Sequence, residues 1–313
     1  MAELTAALPL IPHESVDWER VCRASYLVDQ VLRYEYPGPV ERLRHRLVVF
    51  PPRLHGGQRL QSWHLQVSGP RPRIREEIDL FGNRVCYVTA PRTERVVEFE
   101  IRFLVERNHQ MEADDGSLVS GGVYLEPSPL TVPDAALEQA AQAIARTSDP
   151  DERHLRLNEW VWQSLTYSPG VTDVATTAAA AFARRAGVCQ DFAHVMLSLC
   201  RLVGLPARYV SGHLLGEGAT HAWVEVLAPD PADVSRLTIQ ALDPTHGRRC
   251  RADYITVAVG RDYADVPPTS GTFHAPYQGR LVSRKLAGVT EIEYFGLEMP
   301  APTPIRVRPL PSD

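Results

Sequence analysis

From Cys22 to about Leu125, apolar and polar residues alternate in short bursts. The segments RASYLVDQVLRYEY, RLRHRLVVFP, QRLQSWHLQVSG and RVVEFEIRFLVERN mix β-branched, aromatic and charged residues with partial alternation. A period of two sends successive side chains to opposite faces of a strand. Turn clusters separate the segments: Tyr36-Pro37-Gly38-Pro39, Leu54-His55-Gly56-Gly57, Gly69-Pro70 and Gly82-Asn83. Short strands between regular turn signals predict an N-terminal β-sandwich over residues 1–128. Arg42, Arg44 and Arg46 on one segment, and Glu98, Glu100 and Arg102 on another, mark its solvated face.

The pattern changes near Glu126-Pro127-Ser128-Pro129. Pro133-Asp134-Ala135 opens a helical stretch that runs to about Thr147, and HLRLNEWVWQSL repeats apolar residues at helical spacing. TTAAAAFARRA is rich in the strongest helix former, with Gly187 as its expected stop. Val188, Phe192, Val195, Met196, Leu199, Leu202 and Val203 then recur on one helical face, closed by Gly204 and Pro206. The segments ARYVSGHLL, THAWVEVLA and LTIQALDPT read as strands, the last two divided by Pro229-Asp230-Pro231. Helices followed by strands predict an α+β unit over residues 129–273 rather than an alternating parallel sheet. Residues 274–313 hold one or two further strands and a Pro-rich tail expected to fray. No internal repeat and no phosphate-binding glycine pattern is visible.

Length and charge narrow the function. The chain has 313 residues, enough for two packed units. A net charge of -5 with scattered arginines gives no basic stripe for nucleic acid. The N-terminus lacks a basic start, and Pro9 and Pro12 break its short apolar stretch, so a secretory signal is not expected. No run approaches the ~18 apolar residues of a membrane span, which leaves the cytoplasm as the expected location. The five cysteines, Cys22, Cys86, Cys189, Cys200 and Cys250, are odd in number and include no CxxC pair. A disulfide framework is therefore not expected, and one thiol is free for chemistry.

Cys189 follows Gly187-Val188, where one helical pattern stops and the next begins. A helix N-terminus presents backbone N–H groups without intrahelical partners and a positive potential. Both favour a thiolate, and the same N–H groups can hold an oxyanion. His221, at the start of THAWVEV, is a candidate base, sharing a strand face with Trp223 and Glu225. Asp243, ending the next strand in QALDPTHG, is a candidate orienting carboxylate for that imidazole. Taken singly, each has a structural reading: a buried inert thiol, a packed histidine, an aspartate closing a turn.

Taken together, GVCQDFAHVMLSLCRLVGLPARYVSGHL, THAWVEV and LDPTHG resemble the transglutaminase-like superfamily. TYSPGVT and VGRDYADVPPTSGTF resemble its flanking segments, and RYEYPGPVERLRHRLVVFPP with IDLFGNRV resembles the bacterial transglutaminase-like N-terminal region. The resemblance covers most of residues 20–273. It implies a papain-like core of helices packed on an antiparallel sheet, with Cys189 as nucleophile, His221 as base and Asp243 as orienting acid. It also implies cleavage of an amide or peptide bond through a thioester, with water or an amine as acceptor. The expected activity is cysteine-protease-like hydrolysis of a protein or peptide. Glutamine transamidation, and a non-catalytic scaffold, are the alternatives.

Around these three, Asp191 is expected to complement the helix dipole, His194 to pack, and Cys200 to be inert. Arg208 and Tyr209 are expected to be structural, and His246 to be a turn residue. Tyr167 and Trp223 are aromatic donors of no assigned role. Cys189, His194, His213, His221 and His246 are metal-ligand types, but without HExxH or paired-cysteine spacing no metal is expected. No cofactor is expected either. Calcium serves some animal relatives, but no EF-hand-like loop is present. The sandwich is expected to pack on the catalytic unit and shape its cleft.

Overall fold

The computed structural model describes residues 10–69, 72–108, 121–229, 237–295 and 305–307. The first strands are β1 (Val21–Glu35), β2 (Val40–Phe50), β3 (Leu54–His55), β4 (Gln58–Val67), β5 (Arg73–Ile78), β6 (Arg84–Thr93) and β7 (Val96–Asn108). Then follow α1 (Ala135–Thr147), α2 (Arg153–Ser164), β8 (Thr166–Tyr167), α3 (Ala178–Arg184), β9 (Ala186–Gly187) and α4 (Cys189–Leu202). Strands β10 (Ala207–Leu214), β11 (His221–Pro229), β12 (Leu237–Asp243), β13 (Arg248–Arg249) and β14 (Tyr254–Gly260) come next. The chain closes with β15 (Thr269–His274), β16 (Arg280–Tyr294) and β17 (Ile305–Val307). Residues 1–9, most of the Pro229-Asp230-Pro231 turn and the tail beyond residue 307 lie outside the described residues.

Two antiparallel sheets form the sandwich. One runs β17-β16-β1-β7-β4-β3 and the other β15-β2-β6-β5. Their alternation is the one the sequence predicts: Val97, Phe99, Ile101, Phe103 and Val105 of β7 are buried, while Glu98, Glu100 and Arg102 between them are not. The inner faces meet through aromatic rings, with His45 of β2 4.9 Å from Phe99 and Phe50 6.2 Å from Phe103. The last strands also belong here. β16 runs antiparallel along β1 from Val21↔Tyr294 to Glu35↔Arg280, and β15 edges β2. The helical unit is therefore inserted between strands of one sandwich. The reason lies in β1, which is buried along most of its 15 residues. A strand so buried needs a ladder partner on each edge, and β7 supplies only one of them.

The inserted unit is α+β, with the sheet β13-β12-β11-β10-β14 covered by α4. Helix α4 is buried from Gln190 to Arg201 on every side, as expected of the central helix of a core. Asp134 caps α1 through a 2.9 Å bond from Leu137 N, as its position in the sequence predicts. The stop of α3 differs from the expectation. Arg185, at φ 56°, turns the chain in the left-handed region, and Gly187 lies beyond it in β9. Gly187 has another use, because a Cβ there would lie 2.5 Å from the Asp191 carboxylate. No helix among the described residues is long and apolar enough to cross a membrane.

The sandwich and the inserted sheet share polar contacts. Gln58 donates to Thr256 O at 2.7 Å, and the Asn83 side chain brackets Val259, donating to its carbonyl and accepting from its N–H, each at 2.8 Å. Arg208 donates to Glu225 at 2.7 Å, and His55 from the sandwich meets the same carboxylate at 2.9 Å. All three are buried. Arg208 and Glu225 are thus structural, and Glu225, although on the strand that starts with His221, lies under the sandwich.

Candidate active site

Cys189 is the first residue of α4, and the local sequence fixes that start. Asp191 Oδ2 accepts from Val188 N at 2.8 Å and from Thr172 Oγ1 at 2.7 Å. This return bond from the third helical residue satisfies a donor at the helix tip and holds the thiol there. The role expected of Asp191 as a complement to the helix dipole is thereby joined to a specific bond. The two-stranded parallel pair β8–β9 sets Tyr167 against Gly187, with Ser168 N on Gly187 O at 2.8 Å. Tyr167 is 55% exposed, beside Cys189, Glu217 and His221.

His221 begins β11 and is buried. Its Nε2 lies 2.7 Å from Asp243 Oδ2, and the ring also hydrogen-bonds Cys189. The three residues singled out in the sequence are therefore brought together, with the imidazole between the thiol and the carboxylate. Trp223 stacks near the His221 ring, the two centroids 6.2 Å apart. Burial opposes a charge on His221, but the bonds to Asp243, Cys189 and Glu217 outweigh it, and its pKa is pushed up to about 12.

Asp243 ends β12 with no exposed surface. Its Oδ2 accepts from His221, from Tyr254 Oη at 2.7 Å and faces His246 Nδ1 at 2.7 Å. Its Oδ1 accepts from Thr245 N at 2.8 Å and His246 N at 3.3 Å. Burial alone would raise the pKa of this group, yet the surrounding donors and the His221 charge hold it below the ordinary carboxylate range. The turn after it is clamped by α2. Gly247, at φ 65°, lies so close to Trp162 that a Cβ would meet its ring at 2.7 Å.

Three participants were missed or undervalued in the sequence. Glu217 Oε2 lies 3.2 Å from His221 Nδ1, and this contact lowers the pKa of Glu217. Its only sequence signal is a carboxylate in the turn four residues before the histidine. His246 is more than a turn residue: it holds Asp243, and its ring centroid is 5.4 Å from that of His221. Tyr254 has no local signal at all, since it comes from the following strand. The remaining candidates fall outside the site. His194 accepts from Tyr263 N at 3.2 Å and packs near Tyr209. Cys200 is fully buried in the core. His213 stacks near Phe103 of the sandwich.

Comparison with known proteins follows this geometry. Residues 138–232 match the family model of the transglutaminase-like superfamily, and residues 26–106 that of the bacterial transglutaminase-like N-terminal region. An uncharacterized protein of Mycobacterium leprae is 33% identical over 159 residues, covering 48% of this chain and 54% of that one. One from Mycobacterium tuberculosis is 34% identical over 169 residues, covering 50% and 53%. The chain spans about half the length of the curated relatives it matches. A crystal structure from Cytophaga hutchinsonii, described as a candidate cysteine protease, superposes with a TM-score of 0.68 at 20% identity. It covers 85% of this chain and 91% of that chain, a likeness of fold.

Proposed function

Because this chain is a member of the transglutaminase-like superfamily, with the bacterial transglutaminase-like N-terminal region ahead of its core, we propose that it cleaves an amide or peptide bond of a protein or peptide through a thioester on Cys189. The observation that carries this reading is the single imidazole of His221, bonded to Cys189 and, through Nε2, to Asp243.

In this reading the Cys189 sulfur attacks the carbonyl carbon, and the oxyanion forms at the tip of α4, where backbone N–H groups point outward. The C–N bond breaks as His221 gives its Nδ1 proton to the leaving amine. Water then attacks the thioester, His221 takes a proton from it, and the C–S bond breaks to release the acid. Asp243 keeps the ring oriented and offsets the imidazolium charge throughout. No step here calls on a cofactor.

The test is a screen of peptide and carboxamide substrates with wild type and Cys189→Ala, each with and without a primary amine. Loss of turnover by several orders of magnitude in Cys189→Ala is expected, with a Cys189 acyl adduct seen by mass spectrometry in the wild type. Equal turnover by the two proteins refutes the proposal. Amine incorporation instead of acid release reassigns it to transamidation, and absence of any adduct points to a scaffold.

A further inference from the structure

Glu217 lies in the loop between β10 and β11, and that loop is clamped from outside. Gly216, at φ 89°, lets the chain pass so close to His13 that a Cβ there would meet its ring at 2.4 Å. Lys285 of β16, a sandwich strand, donates to Ala219 O at 2.5 Å. The clamped loop brings the Glu217 carboxylate to the one ring nitrogen of His221 that Asp243 does not hold. Glu217 Oε2 stands 3.2 Å from His221 Nδ1, while His221 Nε2 is on Asp243. The Glu217 side chain is 36% exposed, and its Oε1 comes within 3.8 Å of His246 Nε2. Hydrolysis needs a thiol, an imidazole and an orienting carboxylate, so Glu217 is a charge that the proposed reaction leaves unused.

We propose that Glu217 selects substrates with a positively charged residue immediately after the scissile bond. The selection rests on the hydrolysis proposed above and names its substrate class. To take its proton, the leaving nitrogen must come within about 3 Å of His221 Nδ1. Glu217 Oε2 stands 3.2 Å from the same atom. The leaving nitrogen and the carboxylate oxygen are then at most about 6 Å apart. The residue that follows the scissile bond is attached to that nitrogen, within reach of Glu217.

The charges around that nitrogen favour a cation. Asp243 and Glu217 face the His221 ring as carboxylates and Cys189 as a thiol, with Tyr167 beside them. Lys285 also acts on Glu217, but its Nζ is bonded to Ala219 O. In the resting site the imidazolium offsets Glu217. When His221 passes its proton to the amine, the ring becomes neutral and Glu217 loses that partner. A lysine or arginine side chain on the departing segment restores the pairing as the C–N bond breaks, and an acidic one adds repulsion. The preference therefore appears in kcat/KM, because the pairing strengthens with the proton transfer.

Peptides built on the best substrate of the screen, differing only in Lys, Gln or Glu after the scissile bond, test the selection with the full chain. In wild type kcat/KM is expected to fall in that order, by about fivefold at each step, as for a half-exposed ion pair. Glu217→Gln should bring the three within about twofold of one another, and Glu217→Lys should reverse the order. Thermal melts confirm that both variants are folded. An unchanged order in Glu217→Gln overturns the proposal, and an equal loss on all three peptides would make Glu217 a support for His221 alone. Alkylation of Cys189 reads the same charge without turnover. With rates divided by those of free cysteine, 2-bromoethylamine should outpace iodoacetate in wild type and lose that advantage in Glu217→Gln, with iodoacetamide as the neutral reference. If peptides are cleaved without a charge preference, the selection alone falls. If no peptide is cleaved but the alkylation preference appears and is lost in Glu217→Gln, the cationic subsite stands and the enzymatic reading falls.

Discussion

The Tyr254 hydroxyl donates to Asp243 Oδ2 at 2.7 Å, on the same oxygen that receives His221. Tyr254 lies on β14, at the far edge of the sheet from β12, so the carboxylate is gripped across the sheet. A hydrogen bond to a charged acceptor contributes about 1.5–3 kcal/mol. Tyr254→Phe is expected to lower kcat/KM roughly ten- to hundredfold, because Asp243 keeps its other donors. Asp243→Asn should cost on the order of a thousandfold or more, since an amide cannot serve the same donors and favours the wrong tautomer. Steady-state kinetics on the best substrate of the screen measure both. Equal losses in the two variants would mean that Tyr254, and not the carboxylate, orients the ring.

The thiols differ enough in surroundings for chemical labelling to separate them. Burial pushes the Cys200 thiol up to about 12 and that of Cys86 to about 11, and also raises Cys22 and Cys250. Cys189 is half-buried and bonded to an imidazole. Iodoacetamide at pH 6.5 should therefore alkylate Cys189 at least tenfold faster than any of the other four. Peptide mapping by mass spectrometry counts the label at each position. An even distribution over the five would contradict the arrangement at the tip of α4.

Much of this site was legible because its chemistry sits at element ends, where turn signals mark the boundaries. Val188-Cys189 begins a helix, His221 begins a strand and Asp243 ends one, and each boundary carries glycine or proline nearby. The alternation of β7 and the helical repeat of α4 gave the layers. What stayed hidden depends on separation along the chain. β16 pairs with β1 across more than 240 residues, and nothing local in either strand names the partner. Tyr254 reaches Asp243 from β14, across the sheet from β12, a proximity that only the folded sheet creates. His246 was read as part of a turn because a histidine near an Asp-Pro turn has an adequate local explanation. Glu217 and His246 likewise lie 29 positions apart, with His221 between them, so no local spacing marks them as neighbours of one ring.

Arg208, Glu225 and His55 tie the inserted sheet to the sandwich. Burial alone would raise the pKa of Glu225, but its contacts with His55 and Arg208 pull it well below the carboxylate range. Glu225→Ala leaves Arg208, 1% exposed, as a buried charge without that partner. Loss of one member of such a pair costs about 3–5 kcal/mol. Replacing Arg208 and Glu225 together by Met and Leu should cost much less, because no charge is then stranded. Urea unfolding of the three proteins provides the comparison, with m-values checked for constancy. A double variant as unstable as the single one would show that the network, not the stranded charge, sets the cost.

His45 sits between Tyr34 and Phe99 inside the sandwich, and both ring nitrogens are buried without a hydrogen-bond partner. Burial lowers its pKa to about 4, and it does the same to His194, at about 4, and His213, at about 3. The folded protein thus holds these rings neutral, while the unfolded chain binds protons near pH 6.5. The unfolded state binds more protons between those values, so stability is full above about pH 7 and falls as pH drops from 6.5 toward 4. For His45 alone the loss at pH 4.5 is about 2.5 kcal/mol. His45→Phe keeps an aromatic ring of similar size and removes the titration. Melting curves from pH 8 to pH 4.5 should show the variant gaining on the wild type throughout that descent. If the two Tm curves stay parallel instead, His45 is not held neutral, and the acid loss comes from other groups.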